Sequence, residues 1–281
     1  MLDTTVDLRV LGPSDRPGAM AMVDRNPLVD VYVGSRVYGS TLASRRVGGE
    51  LWGYHVDGTL TSMCYSGANL MPVQATPAAV RRFADWAIRR GRRCSSMIGD
   101  ADAVLGMWDR LRPEWGSARE VRANQPVLAI TSPPSVPADP RVRHVRPDEL
   151  DTLLPAAVAM FIEEVGVSPI GHDDGTYYRA RLAELIRLGR AFAIIENDEV
   201  IFKAEVGAVP PYACQVQGVW VRPDRRGEGL SIGAMAGVVE LALRDIAPAV
   251  SLYVNDYNVA ARATYRRVGF GEVGRFATVM F

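Results

Sequence analysis

The residues best suited to chemistry lie in a turn between a strand and a helix. Residues 219–231 read VWVRPDRRGEGLS, so an apolar strand ends in a proline and an arginine- and glycine-rich turn leads into the apolar helical pattern of residues 232–243. Such a junction directs several backbone N–H groups and the positive end of a helix dipole at one point, which suits phosphate. Gly227 and Gly229 allow unusual dihedrals and a close ligand approach, and the two arginines before them are bidentate donors to phosphate oxygens.

A second segment downstream has matching features. Residues 251–254 are typical of a buried strand, and Asn258, Ala261 and Tyr265 follow at spacings of three and four. Residues with this spacing lie along one face of a helix. Gly269 is expected to end that helix.

Together the two segments resemble the acetyl-coenzyme A site of the GCN5-related N-acetyltransferase (GNAT) superfamily. The first resembles its pyrophosphate loop (Q/R-x-x-G-x-G/A), and the second resembles N-x-x-A-x-x-x-Y-x-x-x-G-F. The loop here is residues 226–231, with Ser231 in the last small position, and the resemblance covers roughly residues 141–281. The whole chain also resembles an actinobacterial group of these enzymes that carries an extra N-terminal domain of unknown function.

The resemblance implies an α/β (α+β) fold with a mixed central sheet flanked by helices, whose two central parallel strands splay apart around the pantetheine arm. It implies acetyl-coenzyme A as the cofactor, with no metal. The residues assigned to coenzyme A are Val219, Trp220, Val221, Arg225, Arg226, Gly227, Glu228, Gly229, Leu230, Ser231, Asn258 and Ala261.

Acetyl transfer to an amine requires a polarised thioester carbonyl, a deprotonated amine and a protonated leaving sulfur. Backbone N–H groups near Val219 and Val221 are expected to polarise the carbonyl. The resemblance makes Tyr265 the general acid, with a core tyrosine as the alternative. Asn258 is also interpreted as the N-cap of its helix, and both roles are compatible.

The general base is left open, because the strand before the loop carries Gln215 and Gln217 where many members of the family have a glutamate. The remaining candidates are Glu205 and Glu164, the latter beside Glu163. The alternative for Glu205 is a structural salt bridge with Lys203, which points to the same face of its strand. The alternative for residues 163–164 is a solvated helix end.

Composition excludes several classes of function. There are 32 Lys and Arg against 32 Asp and Glu, so no overall field favours nucleic acid or membranes. Three cysteines, odd in number and widely spaced, predict neither a disulfide framework nor a metal site. His172-Asp173-Asp174 is interpreted as a polar loop. We expect a cytoplasmic protein.

Four prolines in residues 131–140 predict an extended linker between two domains, 1–130 and 141–281. Residues 141–281 predict the order β-α-α-β-β-β-α-β-α-β, with hairpin turn 197–198 and a final strand at 277–281. A fainter version of this order before the linker, with hairpin turn 57–58, predicts a tandem whose first copy is a degenerate GNAT-like domain. That copy has no Arg-Gly turn, so no coenzyme A is expected there.

The leading hypothesis is an N-acetyltransferase with a small-molecule or protein amine as acceptor. One alternative is a non-catalytic sensor that binds coenzyme A or an acyl form, because the strand glutamate is missing. Another is a tRNA-dependent aminoacyl transferase of the tandem type, which the neutral charge disfavours. A homodimer is left open.

Overall fold

The computed structural model describes residues 5–43, 48–170 and 175–281. The chain forms two compact units. The first comprises Met1–Leu128, Tyr253–Asn258 and Glu272–Phe281, and the second comprises Ala129–Leu252 and Val259–Gly271. The domain bounds 1–130, 131–140 and 141–281 stay a prediction. The compact units divide the chain differently, because the last strand of the chain pairs within the first unit.

The secondary structure of the described residues runs as follows. The strands are β1 (Val6–Val10), β2 (Gly49–Val56), β3 (Thr59–Gly67), β4 (Asn69–Val73), β5 (Ser96–Asp100), β6 (Glu120–Ile130), β7 (Arg143–His144), β8 (Ala191–Glu196), β9 (Glu199–Ala208), β10 (Cys214–Val221), β11 (Val250–Tyr253) and β12 (Gly271–Met280). The α-helices are α1 (Arg16–Val23), α2 (Val31–Tyr38), α3 (Pro77–Arg90), α4 (Ala101–Trp115), α5 (Leu150–Val165), α6 (Thr176–Arg187), α7 (Leu230–Asp245) and α8 (Val259–Val268).

The sheet of the first unit has the strand order β1-β2-β3-β4-β5-β12-β6. Strands β1 to β4 pair antiparallel in succession, β4 and β5 pair parallel, and β5 and β12 pair antiparallel. The predicted final strand at 277–281 therefore covers only the last four residues of β12 and extends one residue beyond its end. The whole length of β12 lies in a sheet whose other strands come from the N-terminal half of the chain.

Helices cover both faces of this sheet, and alternate residues of β3 show the division. Cys64 packs in a buried cluster with residues of α3 and α4. Its neighbours Met63 and Tyr65 pack in a second cluster with residues of α1 and α2. Successive strand residues point to opposite faces, so both faces of β3 are buried.

The second unit has the strand order β11-β10-β9-β8-β7. Strands β7 to β10 pair antiparallel in succession, whereas β10 and β11 pair parallel at only two positions, Cys214 with Val250 and Gln215 with Ser251. The pairing ends there, although β10 continues to Val221. This short pairing is consistent with the splayed central strands that the resemblance implies.

A buried cluster joins α5 and α6 to the sheet of the second unit, with Leu153, Leu182 and Trp220 among its members. The proline-rich segment 131–140 forms no helix or strand, as expected from its composition. It also packs within this unit, because the Ser135 N–H donates to the Val268 carbonyl at 2.8 Å and the Asp139 N–H to the Gly233 carbonyl at 2.9 Å.

Local turn chemistry explains both predicted hairpins. Asp57 and Gly58 have φ of +48° and +77°, and Asn197 and Asp198 have φ of +52° and +62°. Two consecutive residues in the left-handed region form the tight turn that matches the twist of antiparallel strands. Each turn connects its two strands directly, β2 to β3 and β8 to β9.

Each unit therefore combines a mixed sheet with packed helices, and the predicted α/β (α+β) class is confirmed. Strand β1 and helices α1 and α2 were not among the elements predicted from the sequence. Within the described ranges, no helix has the length and apolar character needed to cross a bilayer.

Candidate functional site

The loop between β10 and α7 has the conformation that its glycines predict. A single 3-10 turn at Pro223–Arg225 follows the strand, and α7 begins at Leu230. Gly227 has φ of +84° and Gly229, the N-cap residue of α7, has φ of +77°. No atom lies within 4 Å of the position that a Cβ would take at either glycine. The left-handed dihedrals require glycine here, and the space beyond the loop is open.

The two arginines of the loop are paired with carboxylates. Arg226 Nη2 donates to Glu163 Oε2 at 2.8 Å, and Arg226 Nε donates to the Val221 carbonyl at 2.9 Å. Arg225 donates to Glu228 Oε2 at 3.1 Å and to Glu196 Oε2 at 3.3 Å. These pairs are partly exposed, and such pairs contribute little to stability because water screens them. An incoming anion can therefore compete for either guanidinium.

Glu163 connects the end of α5 to this loop. Its Oε1 accepts from Trp220 Nε1 at 3.1 Å, while its Oε2 accepts from Arg226. The Trp220 ring is buried in the α5–α6 cluster, so one end of the bridge is rigid. The sequence placed Glu163 beside a candidate base, but nothing in it indicated a bridge to a loop 63 residues away.

A β-bulge interrupts β10 just before the loop. Gln217 pairs with Glu205 and Trp220 with Lys203, so Gly218 and Val219 together lie opposite one residue of β9. Gly218 has φ of +60°, and a Cβ there would lie 3.0 Å from Met160 Cε and 3.2 Å from Lys203 Nζ. Both dihedral and space therefore require glycine. The bulge leaves Gly218 and Val219 sharing one opposite residue of β9 instead of each having its own.

The candidate base Glu205 lies in a buried ion pair. Its carboxylate accepts from Lys203 Nζ at 2.5 Å, and the two side chains are 1% and 0% exposed. Arg181 Nη1 lies 3.8 Å from its other oxygen. Glu205 also helps burial raise the pKa of the Tyr178 hydroxyl to about 12. The structural salt bridge, stated above as the alternative for Glu205, is the arrangement that the structure has.

The candidate acid Tyr265 lies on α8 and is 6% exposed. Its ring packs edge to face against Phe270, with 5.7 Å between the centroids. Burial raises the pKa of its hydroxyl well above the ordinary value, and the Glu164 carboxylate raises it further. The hydroxyl keeps its proton at neutral pH, as an ordinary tyrosine does. Glu164 itself is exposed at the end of α5.

The remaining predicted cofactor residues differ in their surroundings. The Ser231 hydroxyl lies 2.9 Å from that of Thr264, so it joins α7 to α8. Asn258 is exposed, immediately precedes α8, and donates its N–H to the Asn255 carbonyl at 3.0 Å. It falls in the first compact unit, whereas Ala261 falls in the second and is half-buried. Val219, Val221 and Leu230 are half-buried, and Glu228 is exposed.

No group of three or more metal-ligating His, Cys, Asp or Glu side chains occurs within residues 5–43, 48–170 and 175–281. His172-Asp173-Asp174 lies outside these residues. The cysteines Cys64, Cys94 and Cys214 are free and buried. Burial raises the pKa of Cys94 to about 11 and that of Cys214 to about 12, so neither thiol is a ready nucleophile.

Two family models match the chain. Residues 159–270, which include the loop, the bulge and α8, match the acetyltransferase (GNAT) family. Residues 49–153 match a domain of unknown function, DUF4081. No curated protein matches the sequence.

Several solved structures share the fold. A GNAT-family acetyltransferase from Colwellia psychrerythraea is 14% identical with a TM-score of 0.59, and the alignment covers 98% of this chain and 99% of that one. A GCN5-related N-acetyltransferase from Sphaerobacter thermophilus is 18% identical with a TM-score of 0.59, and the alignment covers 98% of this chain and 94% of that one. A tandem GNAT protein from the clavulanic acid biosynthesis pathway is 13% identical with a TM-score of 0.56, and the alignment covers 98% of each chain. These similarities establish the fold of this chain, and one of the similar structures is a tandem GNAT protein.

Proposed function

We propose that this protein transfers an acetyl group from acetyl-coenzyme A to an amine, because residues 159–270 match the acetyltransferase (GNAT) family. The observation that carries the proposal is the loop of the second unit, where two glycines with left-handed dihedrals leave open space before a 16-residue helix. That space and the N–H groups of the first turn of α7 suit a pyrophosphate.

The residues that would hold coenzyme A are those of the loop and the start of α7. Backbone N–H groups from Gly227 to Ser231 would donate to the phosphate oxygens. Arg226 would exchange the Glu163 carboxylate for a phosphate, and Arg225 would do the same with Glu228. Because the existing pairs are weak and partly exposed, this exchange costs little.

Acetyl-coenzyme A, when bound, supplies the thioester carbonyl and the leaving sulfur. At the bulge of β10, the backbone N–H groups of Gly218 and Val219 would donate to a carbonyl oxygen that becomes negative. Tyr265 holds a proton on its hydroxyl at neutral pH and can give it to a leaving group. The buried Lys203–Glu205 pair lies next to Gly218.

Glu164 is the carboxylate that we propose as general base. Both oxygens of Glu205 face cations inside the unit, and a carboxylate held in this way is poorly placed to accept a proton from a substrate. Glu164 is exposed and close enough to Tyr265 to influence its hydroxyl. A base in this position would deprotonate the acceptor ammonium, whose ordinary pKa is near 10.4.

The test is acetyl transfer by the full chain to a panel of amines, comprising small primary amines, aminoglycosides and peptides with free N-termini. Release of free thiol from acetyl-coenzyme A gives the rate, and calorimetry gives the affinity for coenzyme A. Glu164→Gln should lower kcat/KM by about a hundredfold or more and leave that affinity unchanged. The matched control is Glu240→Gln, at an exposed position on α7, which should not change the rate.

A second candidate function is a non-catalytic sensor of coenzyme A. It is favoured because Glu205 is held in an ion pair with Lys203 and because β10 carries Gln215 and Gln217 instead of a carboxylate. Binding of coenzyme A without transfer to any amine would support the sensor and refute the enzyme. Absence of binding would refute both functions.

A further inference from the structure

A cleft of about 390 Å³ lies in the first compact unit. It is lined by the start of β2, the end of β3, the start of β4, the end of α3 and Trp115 at the end of α4. All of its lining residues fall within the domain of unknown function at 49–153. Pockets that hold small organic ligands commonly have volumes of about 300–1,000 Å³.

The charges around the cleft do not cancel. Arg90 Nη1 lies 2.5 Å from Glu50 Oε2, which also accepts from Trp52 Nε1 at 3.0 Å. Arg93 is a second guanidinium in the lining. Burial opposes ionisation of Glu50, but hydrogen bonds from Trp52 and Arg90 outweigh it and lower the pKa of the carboxyl. Two arginines and one ionised glutamate leave one positive charge facing the cleft.

The guanidinium of Arg90 is held by aromatic rings. Its central carbon lies 5.9 Å from the ring centroid of Trp52 and 5.1 Å from that of Trp86, and the two rings lie 6.4 Å apart. Cation–π contacts and the bond to Glu50 restrict the side chain. The cation is therefore positioned before any ligand arrives, which lowers the entropic cost of binding.

Trp115 lines the cleft, and its indole N–H is a hydrogen-bond donor. Its Nε1 is buried and has no acceptor within the part of the chain that the structure describes. A buried N–H without a partner is destabilising and is uncommon in folded proteins. Its ring packs against Phe281 with 5.7 Å between the centroids, so the indole is fixed at the edge of the cleft. An oxygen of a bound molecule would satisfy this donor.

We propose that this cleft binds a small organic carboxylate with a flat apolar body. The carboxylate would pair with Arg90 and Arg93 and accept from Trp115 Nε1, and the apolar body would lie against the apolar side chains of the lining. A single negative charge matches the single positive charge left by Glu50, whereas a phosphate monoester would bring a second negative charge close to that carboxylate. The proposal is independent of acetyl transfer.

Calorimetric titration of the full chain with three matched compounds tests it. We expect 2-naphthoate to bind saturably and the neutral 2-naphthamide to bind at least about tenfold more weakly. We expect 2-naphthyl phosphate to bind no more tightly than 2-naphthoate. Three results would each overturn the proposal. They are no binding of 2-naphthoate at concentrations up to about 10 mM, equal binding of the neutral amide, and binding of the phosphate ester that is about tenfold tighter than that of 2-naphthoate.

Variants locate the site. Arg93→Gln removes an exposed cation, and Trp115→Phe removes the N–H donor and part of the ring volume while keeping an aromatic ring at a partly buried position, so both should fold. Each should weaken 2-naphthoate about tenfold, the effect expected for loss of a hydrogen bond to a charged group. Arg82→Gln, on the exposed face of α3 and outside the cleft, is the control. Equal effects of Arg82→Gln and Arg93→Gln, or no effect of Arg93→Gln and Trp115→Phe, would place binding elsewhere and overturn the assignment.

Discussion

The buried Lys203–Glu205 pair allows a quantitative prediction about the second unit. Both side chains are at most 1% exposed, and 2.5 Å separates Lys203 Nζ from Glu205 Oε1. Replacing one partner leaves the other as an uncompensated buried charge, which typically costs about 3–5 kcal/mol. Replacing both by apolar residues of similar volume removes the charges together and is often neutral.

The surroundings of the pair decide which single variant is worse. In Lys203→Met, Glu205 keeps Arg181 at 3.8 Å, so we expect a loss of about 3 kcal/mol in the free energy of unfolding. In Glu205→Leu, Lys203 loses the carboxylate with which it pairs, so we expect about 4 kcal/mol or more. The double variant Lys203→Met/Glu205→Leu should lose about 1 kcal/mol or less, which gives a strong favourable coupling in a double-mutant cycle.

Urea unfolding followed by circular dichroism measures these differences, and hydrogen exchange of peptides from β9 and β10 shows that the loss lies in the second unit. Glu199→Leu is the control, because Glu199 on the same strand is 68% exposed and pairs at the surface with Arg222. It should cost no more than about 1 kcal/mol. A Lys203→Met protein within about 0.5 kcal/mol of the parent, or a double variant as unstable as the worse single one, would refute the reasoning.

Three further predictions concern the loop, the acid and low pH. Gly229→Asp should abolish binding of coenzyme A without unfolding the chain, because it adds a carboxylate and a Cβ at a left-handed residue before α7; unchanged affinity in calorimetry would make the loop an ordinary turn. Tyr265→Phe should lower single-turnover acetyl transfer by about a hundredfold or more at unchanged affinity for coenzyme A, and full activity would make Tyr265 a core residue. The hydrogen bonds from Arg143 lower the pKa of Glu149 from 4.5 to about 2, so its stabilisation is present above about pH 4.5 and is lost as the pH falls towards 2. In Glu149→Gln, acid unfolding should lose this contribution to its pH dependence, and an unchanged acid transition would contradict the role of this pair.

Local signals in the sequence were sufficient for the elements around the site. The dihedral preferences of Gly227 and Gly229 act within a few residues, and both glycines have the left-handed conformation that the motif requires. The same holds for the turns at 57–58 and 197–198, where short polar residues and glycine tolerate positive φ. The fold class and the resemblance to the acetyltransferases followed from motifs of this local kind.

Partners that are distant in sequence could not be obtained in this way. Arg225 and Arg226 were predicted as phosphate donors, and their present partners Glu196 and Glu163 come from other elements of the second unit. Coulombic and hydrogen-bonding contacts of this kind depend on which surfaces pack together, and residue spacing carries no information about that packing. The preference for Glu164 over Glu205 as base therefore came from the packed structure, which holds Glu205 against Lys203.

Strand neighbours show the same limit on a larger scale. The apolar pattern near the C-terminus predicted a strand at 277–281, but it did not show that β12 would run from Gly271 to Met280 and pair with β5. The alternation of apolar residues along a strand identifies which face is buried, whereas its neighbour is chosen by all the strands of the sheet together. The cleft beside Trp115 likewise exists only because β2, α3 and α4 meet in the folded unit. The sequence by itself determined the local conformations and the family resemblance, and tertiary packing decided which charges are paired and which donors are left for a ligand.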